Sequence, residues 1–255
     1  GHADYTYFAK FGIRDHRGGG RSSARESACR VAGGAFAALL LAEFGISVQS
    51  CVTQIGDIKA KEIDFDFANS SQIFWADQSS QDSAKELILN TKNANDSLGA
   101  TVLTIIKGAP AGLGEVLYNK LDAALASAMM GINGVKGVEI GDGINVATML
   151  GSQNNDCMNE DGFITNHCGG ILGGISNGND IVIKSYFKPT PSIFKAQPTI
   201  NLDGNEVICE LRGRHDPCIG VRGSVVATAM ARLVIADMLL LNASANLNNL
   251  KRIYQ

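Results

Sequence analysis

Two stretches of this chain carry almost no charge on any face of a helix, and they constrain the fold more than any other feature. From Val31 to Ala42 every residue is apolar or glycine, and from Ser224 to Leu241 the only charges are Arg232 and Asp237. A helix that is apolar all round is buried all round. The first is expected over residues 23–44, stopped by Gly45, and the second over residues 224–241. The second is long enough to suggest a membrane span, but the two charges inside it argue against one. Strands are expected at residues 101–107, 135–140, 144–150, 181–187 and 206–211, from their short apolar runs or alternation. Gly141-Asp142-Gly143 reads as a hairpin turn between the second and third of these. An amphipathic helix is expected over residues 115–130, and residues 1–20 read as loop or short strand. Together these predict an α+β chain: a layer of long buried helices between antiparallel sheets. The ordinary alternative, helices on the outside of a sheet, calls for amphipathic helices.

Composition narrows the function. The 255 residues are 45% hydrophobic, enough for one sizeable core, and no linker or repeat divides them. A net charge of −3 excludes a general nucleic-acid surface. None of the 6 cysteines forms a C-x-x-C pair, so no zinc or other metal site is expected. They read as reduced thiols of a cytoplasmic protein.

The strongest local motif is Gly18-Gly19-Gly20-Arg21-Ser22-Ser23-Ala24-Arg25-Glu26. Ser23-x-x-Glu26 has the form of a capping box, so the first long helix should start there. Its free N–H groups and positive dipole end suit an anion, and glycines let the backbone approach one closely. Arg21 and Arg25 add forked donors that match phosphate. The plainer reading is a helix cap after a flexible loop. The arginines fall into two regions, Arg14 to Arg30 and Arg212 to Arg252, with none between. Two such regions can converge on one polyanion.

Histidines supply candidates for proton transfer. His2, His16, His167 and His215 all sit in polar, turn-rich surroundings, and taken singly each is an ordinary structural histidine. Residues 166–176, Asn-His-Cys-Gly-Gly-Ile-Leu-Gly-Gly-Ile-Ser, form a second glycine-rich loop. Lys188-Pro189-Thr190-Pro191-Ser192 closes a strand with a cation and hydroxyls, ordinary phosphate partners or an ordinary strand exit.

These stretches together resemble the chorismate synthase family. Gly1 to Asp4, Arg14 to Glu26, Gly108 to Gly114, Asn133 to Gly143, Asn166 to Ser176, Lys188 to Ser192 and Gly213 to Gly220 occur in the family's order and spacing. The resemblance runs the length of the chain as a single domain, residues 1–255, incomplete at its amino end. It covers roughly the last two-thirds of the family's chain and leaves out a Gly-Glu-Ser-His-Gly motif with a second catalytic histidine. The resemblance implies a β-α-β sandwich, a homotetramer, and conversion of 5-enolpyruvylshikimate 3-phosphate to chorismate by anti-1,4-elimination of phosphate, the last common step of the shikimate pathway. It implies reduced FMN as cofactor, although the reaction has no net redox change. His2 then keeps the reduced flavin correctly protonated, and Asp216 assists removal of the substrate proton. FMN contacts fall on Arg21, Ser22, Ser23, Asn133, Gly134, Gly173, Lys188, Pro189, Thr190, Pro191, Ser192 and Arg214, and a substrate contact on Arg25. Gly134 stands where the family often has alanine, and Pro191 where serine is common. On this reading the 255 residues alone are expected to be inactive, and neither nucleic acid nor membrane is a partner.

Two other readings suit the same residues. A small-molecule kinase would use the glycine-rich helix start for ATP phosphates, although no Gly-Lys-Ser/Thr loop is present. A non-catalytic anion-binding module would make His2 and Asp216 dispensable.

Overall fold

The computed structural model describes residues 3–13, 22–211, 213 and 215–255. His2, Arg21 and Arg214 therefore lie outside the described residues, as do Arg14, His16, Arg17, Gly18 to Gly20 and Arg212.

The elements in chain order begin with α1 (Asp4–Phe11), α2 (Ser27–Ala42), β1 (Ser47–Ile55), β2 (Ile58–Lys59), α3 (Phe65–Ser70) and α4 (Gln81–Asn93). There follow β3 (Ala100–Lys107), α5 (Leu121–Met130), β4 (Val135–Ile140), α6 (Gly151–Asn154), β5 (Met158–Asn159), β6 (Gly162–Phe163), β7 (Ile171–Leu172) and β8 (Ile175–Ser176). The chain ends with β9 (Ile181–Phe187), β10 (Gln197–Ile200), β11 (Glu206–Cys209), α7 (Ile219–Asn242) and α8 (Leu247–Tyr254).

One sheet organises the molecule. Its strands lie in the order β2-β1-β3-β9-β4, and every neighbouring pair is antiparallel. Strand β9 is inserted between β3 and β4, so a late segment of the chain closes a sheet begun by early ones. Cross-strand partners share a face. Ser50, Thr104 and Ile183 form one such row, and Val102 and Ser185 belong to another on the same side. Helices α2, α7 and α5 lie side by side against this face. The opposite face carries a smaller cluster in which Cys51 and Leu103 meet Ala68 and Ala76.

Helix α7 is the centre of the core. Ala227, Ala231 and Ile235 have no exposed surface, and α7 touches the sheet, α2 and α5. It is long and apolar enough to span a membrane; 44% of that stretch is buried inside the protein, while Val225, Leu240 and Leu241 stay exposed. Small residues let it sit this close. A Cβ on Gly34 of α2 would lie 2.5 Å from the Ala229 Cα, so the two helices cross at backbone distance. A Cβ on Gly220 would collide with Ala100 of β3.

The helix layer on antiparallel sheet is as the sequence predicts, with one difference at α2. Ser27, Gly34, Ala37 and Leu41 are buried, while Phe36 is 75% and Leu39 68% exposed. Among the described residues one sheet covers the helix layer from one side, and nothing packs on the outer flank of α2. Its start also differs. The Ser23 Oγ accepts from the Arg25 N–H, and a 3-10 turn, Ala24–Glu26, precedes the α-helix. The Glu26 carboxylate pairs with Arg30, which a reciprocal capping box does not foresee.

Other expectations shift for local reasons. Residues 115–120 are not helical; the Glu115 N–H donates to the Asn119 carbonyl, and α5 begins at Leu121. The hairpin expected at Gly141-Asp142-Gly143 is absent. Asp142 is bound to His167, and residues after it form a 3-10 turn, Gly143–Thr148. The start of the chain, read as loop or strand, is helix α1.

Candidate active site

Most of the singled-out residues that the structure describes gather at one end of the sheet, where β9 leaves it. The Lys188 N–H donates to the Gly134 carbonyl at 2.9 Å, joining the strand exit to the loop after α5. Gly134 holds φ at +93°, a left-handed value that glycine accommodates. Ile219, the first residue of α7, lies against the same glycine. Arg30 ties in the third element. Its Nη1 donates to the Gly131 carbonyl just beyond α5 at 2.8 Å, and its Nη2 pairs with Glu26 at 2.9 Å. The start of α2, with Ser22 and Ser23, is thereby held beside the end of α5 and Asn133-Gly134.

Helices α2 and α7 both begin at this end and run toward the other. The chain leaves α2 into Ser47, which pairs with Lys107 at the far end, and Arg232 of α7 donates to the Val48 carbonyl there at 3.2 Å. Two positive helix ends therefore face one region. The negative end of α5 also falls there, and Arg30 occupies its carbonyl.

The loop at residues 188–192 is laced to two distant segments. The Ser97 hydroxyl donates to the Thr190 carbonyl at 2.7 Å, and the Thr190 hydroxyl donates to the Asp216 carbonyl at 2.8 Å. The Leu98 N–H donates to the Pro217 carbonyl at 2.7 Å. Lys195 pairs with Asp96 at 2.6 Å, and this contact leads the causes that hold the Asp96 carboxyl below its ordinary range. The Asp216 carboxylate reaches Arg222 Nε at 3.4 Å and remains about half exposed. Lys188 and Arg25 are exposed and have no carboxylate partner among the described residues. Lys188, the hydroxyls at Thr190 and Ser192 and two helix N-termini at this end are groups of the kind that bind phosphate.

Gly173 is not part of this gathering within the chain. It sits in the turn between β7 and β8, where the Leu121 N–H at the start of α5 donates to the Gly174 carbonyl at 2.8 Å. Asn133 follows the other end of α5, roughly 15 Å away by helix rise.

The histidines divide as well. His167 lies at the far end, its Nδ1 2.7 Å from Asp142 Oδ2. Asp156 accepts there from the His167 N–H at 2.7 Å, the Cys168 N–H at 2.9 Å and the Thr165 hydroxyl at 2.7 Å. Burial, then hydrogen bonding with Asp156, raises the Cys168 thiol pKa. His167 thus belongs to a closed structural knot. His215 lies beside Asp216, with its ring 5.8 Å from that of Phe194.

Sequence reasoning missed Ser97 and the bridging role of Arg30. Ser97 sits in a polar turn with no signature, and only the contact with Thr190 identifies it. Arg222 was visible as a member of the second arginine region, without its partner Asp216.

A family model described as chorismate synthase matches residues 1–240. The chain is 70% identical to a chorismate synthase of Campylobacter fetus subsp. fetus (strain 82-40) over 254 residues, which cover 100% of this chain and 71% of that one. It is 65% identical to the chorismate synthase of Campylobacter curvus (strain 525.92), with the same coverage. It is 62% identical to that of Campylobacter jejuni subsp. jejuni serotype O:23/36 (strain 81-176), covering 99% of this chain and 71% of the relative. A solved structure titled "Crystal Structure of Chorismate Synthase" superposes with a TM-score of 0.81 at 30% identity, covering 99% of this chain and 74% of that one.

Proposed function

Because this chain belongs to the chorismate synthase family, we propose that the cationic end of its sheet is where the phosphorylated substrate and a flavin meet. The family's reaction is the chain's function: elimination of phosphate from 5-enolpyruvylshikimate 3-phosphate to give chorismate, a lyase step of aromatic amino acid biosynthesis. The observation that supports the location is the convergence of Lys188–Ser192, Asn133-Gly134, Asp216 and the starts of α2 and α7 on one end of the sheet.

The residues fit reduced FMN. Lys188 is an exposed cation without an ion-pair partner among the described residues, flanked by the hydroxyls of Thr190 and Ser192 and by backbone at Asn133-Gly134. That set suits a phosphate monoester with a planar ring system beyond it. When bound, the reduced flavin supplies electron density while phosphate departs. The protein supplies position and field. The leaving phosphate gains negative charge, and preorganised cations such as Arg25 stabilise it most at that point. Arg222 Nε lies 3.4 Å from the Asp216 carboxylate and helps to position it. His2, Arg21 and Arg214 complete the set by resemblance.

A homotetramer follows by family resemblance, and the exposed outer flank of α2, with Phe36 and Leu39, offers an apolar surface for association. A biosynthetic enzyme of this family is assigned to the cytoplasm.

The test is an anaerobic assay on protein of the relatives' full length. Chorismate and phosphate should form in equal amounts with reduced FMN and without ATP. Phosphate release that needs ATP, or that ignores the flavin, refutes the reading.

A further inference from the structure

A cavity of about 270 Å³ opens between α2, α7, the outer edge of β1 and the segment after α3. It falls just below the usual size range for small-molecule pockets, about 300–1,000 Å³, which limits it to a compact ligand. Its apolar wall reaches back to Val31 and Val225, near the starts of α2 and α7, while its cationic end at Arg232 lies further along. Arg232 is 13 residues along α7 from Ile219, roughly 20 Å by helix rise.

The lining has two characters. Val31, Ala35, Val48, Phe74 and Val225 make apolar walls. Gln49, Asn69 and Arg232 bring polar ends between them. Arg232 uses its Nη2 on the Val48 carbonyl at 3.2 Å and has no carboxylate partner among the described residues. A guanidinium has five N–H donors, so most remain unused. The side-chain amides of Gln49 and Asn69 likewise have no hydrogen-bond partner among the described residues. By contrast the hydroxyls beneath them are satisfied. Thr228 donates to Ser50 at 2.8 Å, and Ser50 shares a 2.8 Å bond with Thr104.

A half-buried charge without a counter-ion is a costly arrangement that proteins ordinarily pair. Burial is also what pulls the Arg232 pKa downward. The unused guanidinium donors of half-buried Arg232, with the half-buried Gln49 amide and the exposed Asn69 amide beside them, suit an acceptor-only, negatively charged group. A single fork with no second cation and no helix N-terminus matches one carboxylate better than a phosphate dianion. The apolar walls call for a compact apolar body behind that head.

We propose that this cavity is a binding site for a small monocarboxylate with a compact apolar body, its head held by Arg232, Gln49 and Asn69 and its body against Phe74 and Val225. The head group at Arg232 lies apart from Lys188 and Asp216, so occupancy does not require flavin or the phosphorylated substrate.

Benzoate is the probe, titrated calorimetrically into the 255-residue chain with inorganic phosphate as the comparison. Saturable benzoate binding is expected, weakened about tenfold or more in Arg232→Met, which keeps the apolar stem and removes the fork. Ala35→Leu fills the cavity from an exposed helix position and should abolish binding with Arg232 intact. Lys188→Met, at the other end of the sheet, should leave the benzoate affinity unchanged. Circular dichroism on each variant confirms that it is folded. The proposal is overturned by any of four results: no saturable benzoate binding to the unaltered chain, equal affinity in folded Arg232→Met or Ala35→Leu, loss of binding in Lys188→Met, or Arg232-dependent binding of phosphate alone.

Discussion

The two ends of the central sheet use the same residue types in opposite ways. At the far end, polar groups are turned inward on the protein itself. Asp156 takes three hydrogen bonds from the 165–168 segment, and Asp142 holds His167. The Ser176 hydroxyl donates to the Pro110 carbonyl at 2.6 Å and accepts from the Leu113 N–H at 2.9 Å. The backbone is so close there that a Cβ on Gly141 would collide with the His167 carbonyl. At the near end, Lys188 and Arg25 are left without ion-pair partners among the described residues, and Asp216 is half exposed. Unpaired cations around one anion site repel one another, which destabilises the region that holds them. A self-satisfied end contributes the rigidity that lets the opposite end keep unused charges for a ligand.

The largest test of this contrast is Asp216→Asn. In protein of the relatives' full length it should lower kcat by about 100-fold or more, within the range of general acid–base catalysis, with KM and melting temperature nearly unchanged. Near-normal turnover with a lowered melting temperature would move Asp216 into the structural class. Next is Asp156→Asn, whose amide group turns a donor toward the donors it must accept. A loss of about 2 kcal/mol is expected, seen as roughly 4–8 °C in melting temperature for a chain of this size, with unchanged turnover per folded molecule. If turnover falls and melting does not, the two ends are not separate in role. Lys188→Met should weaken FMN binding by about tenfold, the contribution of one charge-assisted bond, and leave the melting curve in place. Titration of FMN at low and high salt reads it, since the lost contact is the screened one. The smallest effect concerns pH. Burial raises the Asp156 pKa, but the combined hydrogen bonds from Cys168, Thr165 and His167 outweigh it and leave the carboxyl well below its ordinary range. A depressed folded pKa gives stability that is complete above the unfolded value, about 3.9, and is lost as pH falls below it. Acid unfolding of Asp156→Asn should therefore be shallower than that of the unaltered chain.

Legibility from the sequence followed the range of the interactions. Helix α7 was readable because a nearly uncharged stretch has one destination, and β3 because Thr101 to Lys107 declares a strand by itself. The hairpin at Gly141-Asp142-Gly143 failed because a contact 25 residues away decides it, the bond from Asp142 to His167. Residues 115–120 carried a helical pattern that the Glu115–Asn119 turn overrides. The outer flank of α2 could not be told from its inner one, since both are apolar. In the site, the arginine regions gave a hint of an anion. Asn133 and Asp216 became candidates only through the family resemblance, because single polar residues in turns carry no periodicity. Gly173 came from the same resemblance, and only the register of α5 shows that it belongs to the other end.

The lacing of Ser97, Thr190 and Asp216 also sets a clock. Segments near residues 97, 190 and 217 are joined by three hydrogen bonds, so none of them can swing out while the others stay. Motion of the strand exit is then a concerted event, rarer and slower than the fraying of a lone surface loop. The amide proton of Leu98, held on the Pro217 carbonyl, becomes the timekeeper for that event. Its exchange with deuterated water should keep pace with the rate at which bound molecules come and go.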